Sequence, residues 1–195
     1  MLGVLLCGGM STRMGHDKGL IPLTTGIMAK QVAANFEALA MPYVLSIRQQ
    51  QAKAYENHFN PSQFVLDHIP QIGGPLQGLL SVHSHYPGQP LLVIACDMPG
   101  MSLSLLQHLK DVYNLMPEKS WYAYRLHHQL QPMCAIYQPK CMAQMLHLHQ
   151  QQLLTRHSLQ YLLEQQEGVA LDVPAHLESC FANLNTRQEL INYRV

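Results

Sequence analysis

The 195-residue sequence predicts a single α/β domain, a Rossmann-like three-layer arrangement in which helices cover both faces of a mostly parallel central sheet. Three observations carry that expectation. Short apolar runs of strand length alternate with stretches whose apolar residues recur at helical spacing. One of the runs, Leu91–Ala95, is apolar throughout, which is the pattern of a strand covered on both sides. No repeat, low-complexity tract or linker divides the chain, and its length suits one domain with a substantial core.

Leu2–Leu6 reads as the first strand, and it empties into the glycine-rich stretch from Gly8 to Lys18. Residues 27–40 carry Ile27, Val32, Ala33, Phe36 and Leu39 near helical spacing, and Met41-Pro42 stops that helix. Tyr43–Ile47 is the second strand and Phe64–Leu66 a short third one that halts at Asp67. Gly73-Gly74-Pro75 leads into a helix over 77–85, with proline near its start. Leu91–Ala95 ends in Cys96-Asp97-Met98-Pro99, after which Ser102 can cap a helix bearing Leu103, Leu106, Leu109 and Tyr113 on one side. Residues 121–124 and 133–137 read as an antiparallel pair around 125–131. Residues 142–154 and 158–164 read as helices, 169–173 as a late strand, and Thr186-x-x-Glu189 as a capping box. The region 120–170 is expected to form a less regular lobe.

Composition narrows the function classes. Hydrophobic content of 48% with only 12% charged residues describes a folded domain and not a disordered one. A formal net charge of zero gives no basis for sustained binding to nucleic acid or to an anionic membrane. The five cysteines are odd in number and form no C-x-x-C pair, so they read as reduced thiols in a cytoplasmic protein. Val4-Leu5-Leu6-Cys7-Gly8 has no basic region before it and is too short for a leader, and no apolar stretch nears the ~20 residues of a membrane span. His127-His128 and His147-x-His149 lack the i, i+4 spacing that would place two ligands on one helix face, and they read as solvated or capping residues.

The chemistry gathers at strand ends. Glycines let the backbone approach a ligand and aim its N–H groups at phosphate oxygens, and Arg13 and Lys18 add full positive charges there. The P-loop pattern fails, because Met14 stands where its second glycine belongs. The dinucleotide fingerprint fails as well, because Gly8 and Gly9 are adjacent. In a parallel sheet the Gly8–Lys18 loop, Asp67 and Asp97 would share one edge, where ligands bind. A carboxylate at Asp97 is costly unless paired, and Mg²⁺ bridging to phosphates would pair it; a helix-cap or turn aspartate is the plainer alternative. Asp67 could accept from the two donors of guanine, N1–H and the exocyclic amine, or could close an Asx-turn before the Gly-Pro loop.

Leu6-Cys7-Gly8-Gly9-Met10-Ser11-Thr12-Arg13-Met14-Gly15-His16-Asp17-Lys18 resembles L-x-G-G-x-S-x-R-M-G-x-D-K, the signature of nucleotidyltransferases with a glycosyltransferase-A-like fold. Within that superfamily the chain resembles the molybdenum cofactor guanylyltransferases, with Cys7 in place of the usual alanine. Asp67 with Gly73-Gly74-Pro75-Leu76-x-Gly78 resembles the family's E/D plus G-P-L-x-G stretch, Asp97-Met98-Pro99 its D-x-P motif, and Asn183-x-Asn185-Thr186 its closing motif. The resemblance implies Mg²⁺-dependent transfer of GMP from GTP to molybdopterin with release of pyrophosphate. It implies catalytic roles for Arg13, Lys18 and Asp97, and metal ligation by Asp97 and Asn185. Leu6, Cys7, Gly8, Gly9, Arg13, Lys18, Asp67, Gly78 and Asp97 would bind the nucleotide. Residues 1–115 would form the nucleotide-binding half and 116–195 the acceptor-binding half, where Arg125, Arg156 and His157 are candidate anion contacts. A molybdoenzyme or molybdenum-insertion protein is the implied protein partner, and a monomer or weak homo-oligomer the expected state. Two alternatives stand beside this reading. One is a cytidylyltransferase of the same fold, acting on molybdopterin or on another phosphorylated acceptor, with Arg48 as base reader. The other is a non-catalytic nucleotide-binding protein, against which the presence of both Lys18 and Asp97 weighs.

Overall fold

The computed structural model describes residues 1–8, 17–24, 26–184, 189 and 193. Strand β1 (Leu2–Leu6) is followed by a small ribbon, β2 (Pro22–Leu23) against β3 (Gly26–Ile27), and by helix α1 (Met28–Ala38). The chain continues through β4 (Tyr43–Ile47), the short helix α2 (Ala52–Tyr55) and β5 (Phe64–Leu66). Helix α3 (Pro75–His85), β6 (Leu91–Ala95) and α4 (Leu103–Leu115) come next. The second half holds β7 (Trp121–Leu126), β8 (Gln129–Tyr137), α5 (Pro139–Gln150), α6 (Leu159–Glu164) and β9 (Val169–Asp172).

Among the described residues seven strands form the main sheet, in the order β5-β4-β1-β6-β8-β7-β9. β5, β4, β1 and β6 pair in parallel, β8 runs antiparallel to both β6 and β7, and β9 is parallel to β7. Every residue of β1 and β6 is buried, as a strand covered on both faces requires. Alternation along the strands divides the core in two. Leu5, Leu45, Leu92 and Ile94 pack with Val32, Ala33 and Phe36 of α1 and with Leu105, Leu106 and Leu109 of α4. Val4, Leu6, Val44 and Val93 face the other way, onto Leu76, Leu79 and Leu80 of α3, Met142 and Met145 of α5, and Leu162 and Leu163 of α6. Fully burying each such side chain contributes roughly 1.5–3 kcal/mol, so the two layers together stabilise the sheet between them.

Several boundaries differ from the sequence expectation for local reasons. Proline fits the first turn of a helix, so α3 begins at Pro75 and not at 77. Gly26 and Ile27 are taken up in the ribbon, so α1 begins at Met28. Ser102 occupies the N-cap position of α4 without capping it; its hydroxyl pairs with that of Ser104 at 2.7 Å. The turn expected over 125–131 contracts to His127 and His128, both with positive φ (49° and 65°), as the tightest hairpin turns require. The region 120–170 is no irregular lobe, because β7, β8 and β9 continue the same sheet. Helix α5 runs from Pro139 to Gln150, displaced toward the N-terminus from 142–154. The capping box opened by Thr186 lies outside the described residues. No helix of the described residues is long and apolar enough to cross a membrane.

Candidate active site

From β1 the chain builds outward through β4 to β5, then returns past β1 to lay down β6 on its other flank. The strand order therefore reverses between β1 and β6. A crevice opens beyond the carboxyl ends of two parallel strands whose connections leave in opposite directions, and ligands of open α/β sheets bind there. Cys7 and Gly8 leave β1 at that point, Cys96 and Asp97 leave β6, and Asp67 leaves β5 on the same edge.

A cleft of about 170 Å³ occupies this edge and is lined by Leu6, Cys7, Gly8, Lys18, Asp67, Gly78 and Asp97. These are seven of the nine residues expected to bind a nucleotide. The other two, Gly9 and Arg13, lie outside the described residues, as does the expected metal ligand Asn185. Its neighbour Leu184 is placed by a hydrogen bond, its N–H donating to the carbonyl of Asp97 at 2.9 Å.

Lys18 opens a single 3-10 turn capped by the carboxylate of Asp17, which accepts from the Gly19 N–H at 3.0 Å. The Lys18 ammonium donates to Asp97 Oδ2 at 2.9 Å, with both side chains about one-fifth exposed (22% and 18%). Cation and carboxylate thus face each other at the cleft, within reach of solvent and of a ligand. Asp67 is held differently. Its Oδ1 accepts from the Ser46 hydroxyl at 2.7 Å. Burial raises its pKa above the ordinary 3.8, against the opposing pull of the Ser46 hydrogen bond and the nearby Arg48 and His68. Two glycines make room for it. A Cβ on Gly8 would lie 2.1 Å from Asp67 Oδ2, and one on Gly78 would lie 2.2 Å from Ser46 Oγ.

Gly74 and Pro75 of the expected Gly-Gly-Pro stretch line it too, together with Ala95 and Cys96 at the end of β6, and Ser46 and Met133 join the lining without having been singled out from the sequence. Ser46 did leave a signal, since it is the one polar side chain inside the otherwise apolar Tyr43-Val44-Leu45-Ser46-Ile47 apart from the tyrosine hydroxyl at its start. Arg48 does not line the cleft; its N–H donates to the Gln51 side chain at 2.7 Å. The three acceptor candidates do not converge. Arg125 is paired with Asp172 at 2.8 and 3.2 Å, Arg156 lies over the ring of Tyr161, and His157 lines a separate depression with Gln71, His149 and Gln152.

Of the two carboxylates that line the cleft, Asp67 is engaged by Ser46, and Asp97 is the one expected to meet a metal. Among the described residues no three His, Cys, Asp or Glu side chains gather as an all-protein cage. Asp97, set against a cation at a phosphate-sized crevice, is the donor set expected for Mg²⁺, which takes one or two carboxylates and completes its shell with phosphate oxygens and water. The residues present fit that ion. All five cysteines are free of disulfides, and burial pushes the thiols of Cys134 and Cys141 up to about 12, away from the thiolate form a metal would need.

Comparison with known proteins agrees with this geometry. Residues 3–169 match the model of the MobA-like NTP transferase domain. A probable molybdenum cofactor guanylyltransferase from Nostoc sp. is 31% identical over 202 residues, spanning 97% of this chain and 88% of its own. One of the same name from Trichormus variabilis is 32% identical over 205 residues, with the same two coverages of 97% and 88%. Among solved structures, molybdopterin-guanine dinucleotide biosynthesis protein A from Archaeoglobus fulgidus has a TM-score of 0.81 at 20% identity, over 100% of this chain and 97% of that one. A putative glucose-1-phosphate thymidylyltransferase from Bacillus anthracis has a TM-score of 0.72 at 11% identity, over 100% and 94%. At such identities the structural likeness shows a shared fold, the glycosyltransferase-A-like fold of nucleotidyltransferases.

Proposed function

The chain belongs to the MobA-like NTP transferase family, and from that premise we propose that it transfers GMP from GTP to molybdopterin with release of pyrophosphate. One observation carries the reading. Gly8, Lys18, Asp67 and Asp97, drawn from separate stretches of sequence, meet in one cleft at the switch point of the sheet.

In the reaction a terminal phosphate oxygen of molybdopterin forms a bond to the α-phosphorus of GTP, and the bond from that phosphorus to the β-bridging oxygen breaks. The attacking phosphate is already ionised, so no side chain need remove a proton. The protein's task is alignment and charge neutralisation. Gly8 lets the triphosphate lie close against the backbone, where a side chain would also collide with Asp67. Lys18, now held by Asp97, offers its ammonium to the β- and γ-phosphates and stabilises the departing pyrophosphate, and Arg13 is assigned the same role. Asp67 retains lone pairs beyond the one taken by Ser46 and accepts from the guanine N1–H and exocyclic amine. Mg²⁺, held by Asp97 with Asn185, would supply positive charge at the α-phosphate. Molybdopterin is assigned to the side of the cleft formed by residues 116–195, from which Met133 reaches the lining.

The test is Asp97→Ala. The carboxylate faces the cleft, so the variant should melt within a few degrees of the wild type, while pyrophosphate release in the presence of GTP and molybdopterin falls on the order of 10³-fold. Turnover near that of the wild type at saturating Mg²⁺ would remove Asp97 from the reaction.

A further inference from the structure

Two side chains that do not line the cleft tie together the places where its phosphate-facing segments begin and end. Gln51 is buried in the turn preceding α2, and Tyr55, at the end of α2, is fully buried. The Gln51 amide nitrogen donates to the Cys7 carbonyl at 3.0 Å and also to Asp17 Oδ2, while its amide oxygen accepts from the Arg48 N–H at 2.7 Å. The Tyr55 hydroxyl donates to Asp17 Oδ1 at 2.9 Å. Gly19 leaves space for that hydroxyl, since a Cβ there would lie 2.1 Å from it. Burial drives the Tyr55 pKa up, chiefly by desolvation, so the hydroxyl keeps its proton and stays a donor.

Each partner of this network adjoins a residue of the site. Cys7 precedes Gly8, and Asp17 precedes Lys18. The Asp17 carboxylate, half-buried, receives three donors, from Gly19, Tyr55 and Gln51, and a carboxylate so saturated has little freedom to move. We propose that Gln51 and Tyr55 are positioning residues for nucleotide transfer: they fix Gly8 and Lys18 relative to one another and so hold the Lys18 ammonium where the triphosphate lies. The proposal rests on the nucleotide-transfer reading above and adds to it the elements that hold the site in shape before substrate arrives. A preorganised cation stabilises phosphate charge without reorganising at the moment of reaction.

A double-mutant cycle separates this role from simple support of the fold. GTP affinity is measured by calorimetry on the full chain as wild type, Tyr55→Phe, Lys18→Ala and the double variant. Phenylalanine keeps the ring stacked near Phe59 (centroids 6.2 Å apart) and removes only the hydroxyl. Because Tyr55 acts through Lys18, Tyr55→Phe should weaken GTP binding about tenfold in the wild-type background and less than about twofold once Lys18 is gone. Gln51→Met, run through the same cycle, should give the same pattern and covers the case in which Tyr55→Phe folds poorly. Equal losses with and without Lys18, or no loss in either background, would overturn the proposal while leaving guanylyl transfer standing. A wild-type protein that binds no nucleoside triphosphate would overturn the transfer reading, and the positioning role with it.

Discussion

Asp67 carries a measurable consequence in the absence of any ligand. Its carboxylate is partly desolvated, and burial raises its pKa above 3.8. A carboxyl whose folded pKa exceeds its unfolded one favours the protonated form on folding. The fold therefore gains stability as pH falls through the raised pKa, and bears the cost of the buried charge above it. Asp67→Asn removes that charge and keeps an oxygen to accept from Ser46. The unliganded variant should melt above the wild type at pH 7, and the gap should narrow as pH falls through the raised pKa toward the ordinary 3.8 and the wild-type carboxyl takes up its proton. Parallel melting curves across that range would show that the carboxylate is not desolvated. The sequence made Asp67, Lys18 and Asp97 legible because each ends a strand or a glycine-rich stretch. It could not show what holds them. Ser46 meets Asp67 across 21 residues, and Tyr55 meets Asp17 across 38, contacts that exist only once β4 pairs with β5 and α2 packs against the turn at Lys18.

At the level of elements, helix α3 presents a conflict between local propensity and packing. Gly78 lies inside the helix, where alanine is ordinarily better by about 1 kcal/mol. Here the added Cβ would fall 2.2 Å from Ser46 Oγ and 3.2 Å from Leu6 Cδ2. Ser46 cannot turn aside without giving up its bond to Asp67. Gly78→Ala should therefore lower the melting temperature, by overpacking worth about 1–3 kcal/mol, and Ser46→Ala should relieve part of the loss. A higher melting temperature for Gly78→Ala would mean that propensity wins and the contact is slack. The same element shows why boundaries are harder to read than elements. Pro75 and the turn at His127-His128 are each set by one backbone requirement, a proline suited to a first turn and two residues of positive φ. Histidine is not a usual marker of such a turn, so the hairpin looked longer in sequence than it is.

For the whole molecule, the account depends on topology. Reversal of strand order between β1 and β6 brings the ends of three parallel strands to one crevice, and helices on both faces keep their carboxyl ends open to solvent on one edge. The apolar runs and their alternation with helices, visible in the sequence, point to a mostly parallel sheet; the order of its strands is shown only by the assembled fold. The continuation of the sheet through β8, β7 and β9 is not visible there either, because partly polar strands such as Gln129–Tyr137 show no clear period until they are paired. The central claim is that this crevice moves a guanylyl group onto molybdopterin. Its most direct test is to incubate the purified protein with molybdopterin, Mg²⁺ and GTP or CTP labelled at the α-phosphate, and to follow label into the dinucleotide product. The account predicts label on molybdopterin from GTP, little from CTP, and none from GTP with Asp97→Ala. Transfer from CTP as fast as from GTP, or no transfer from GTP at all, would contradict it.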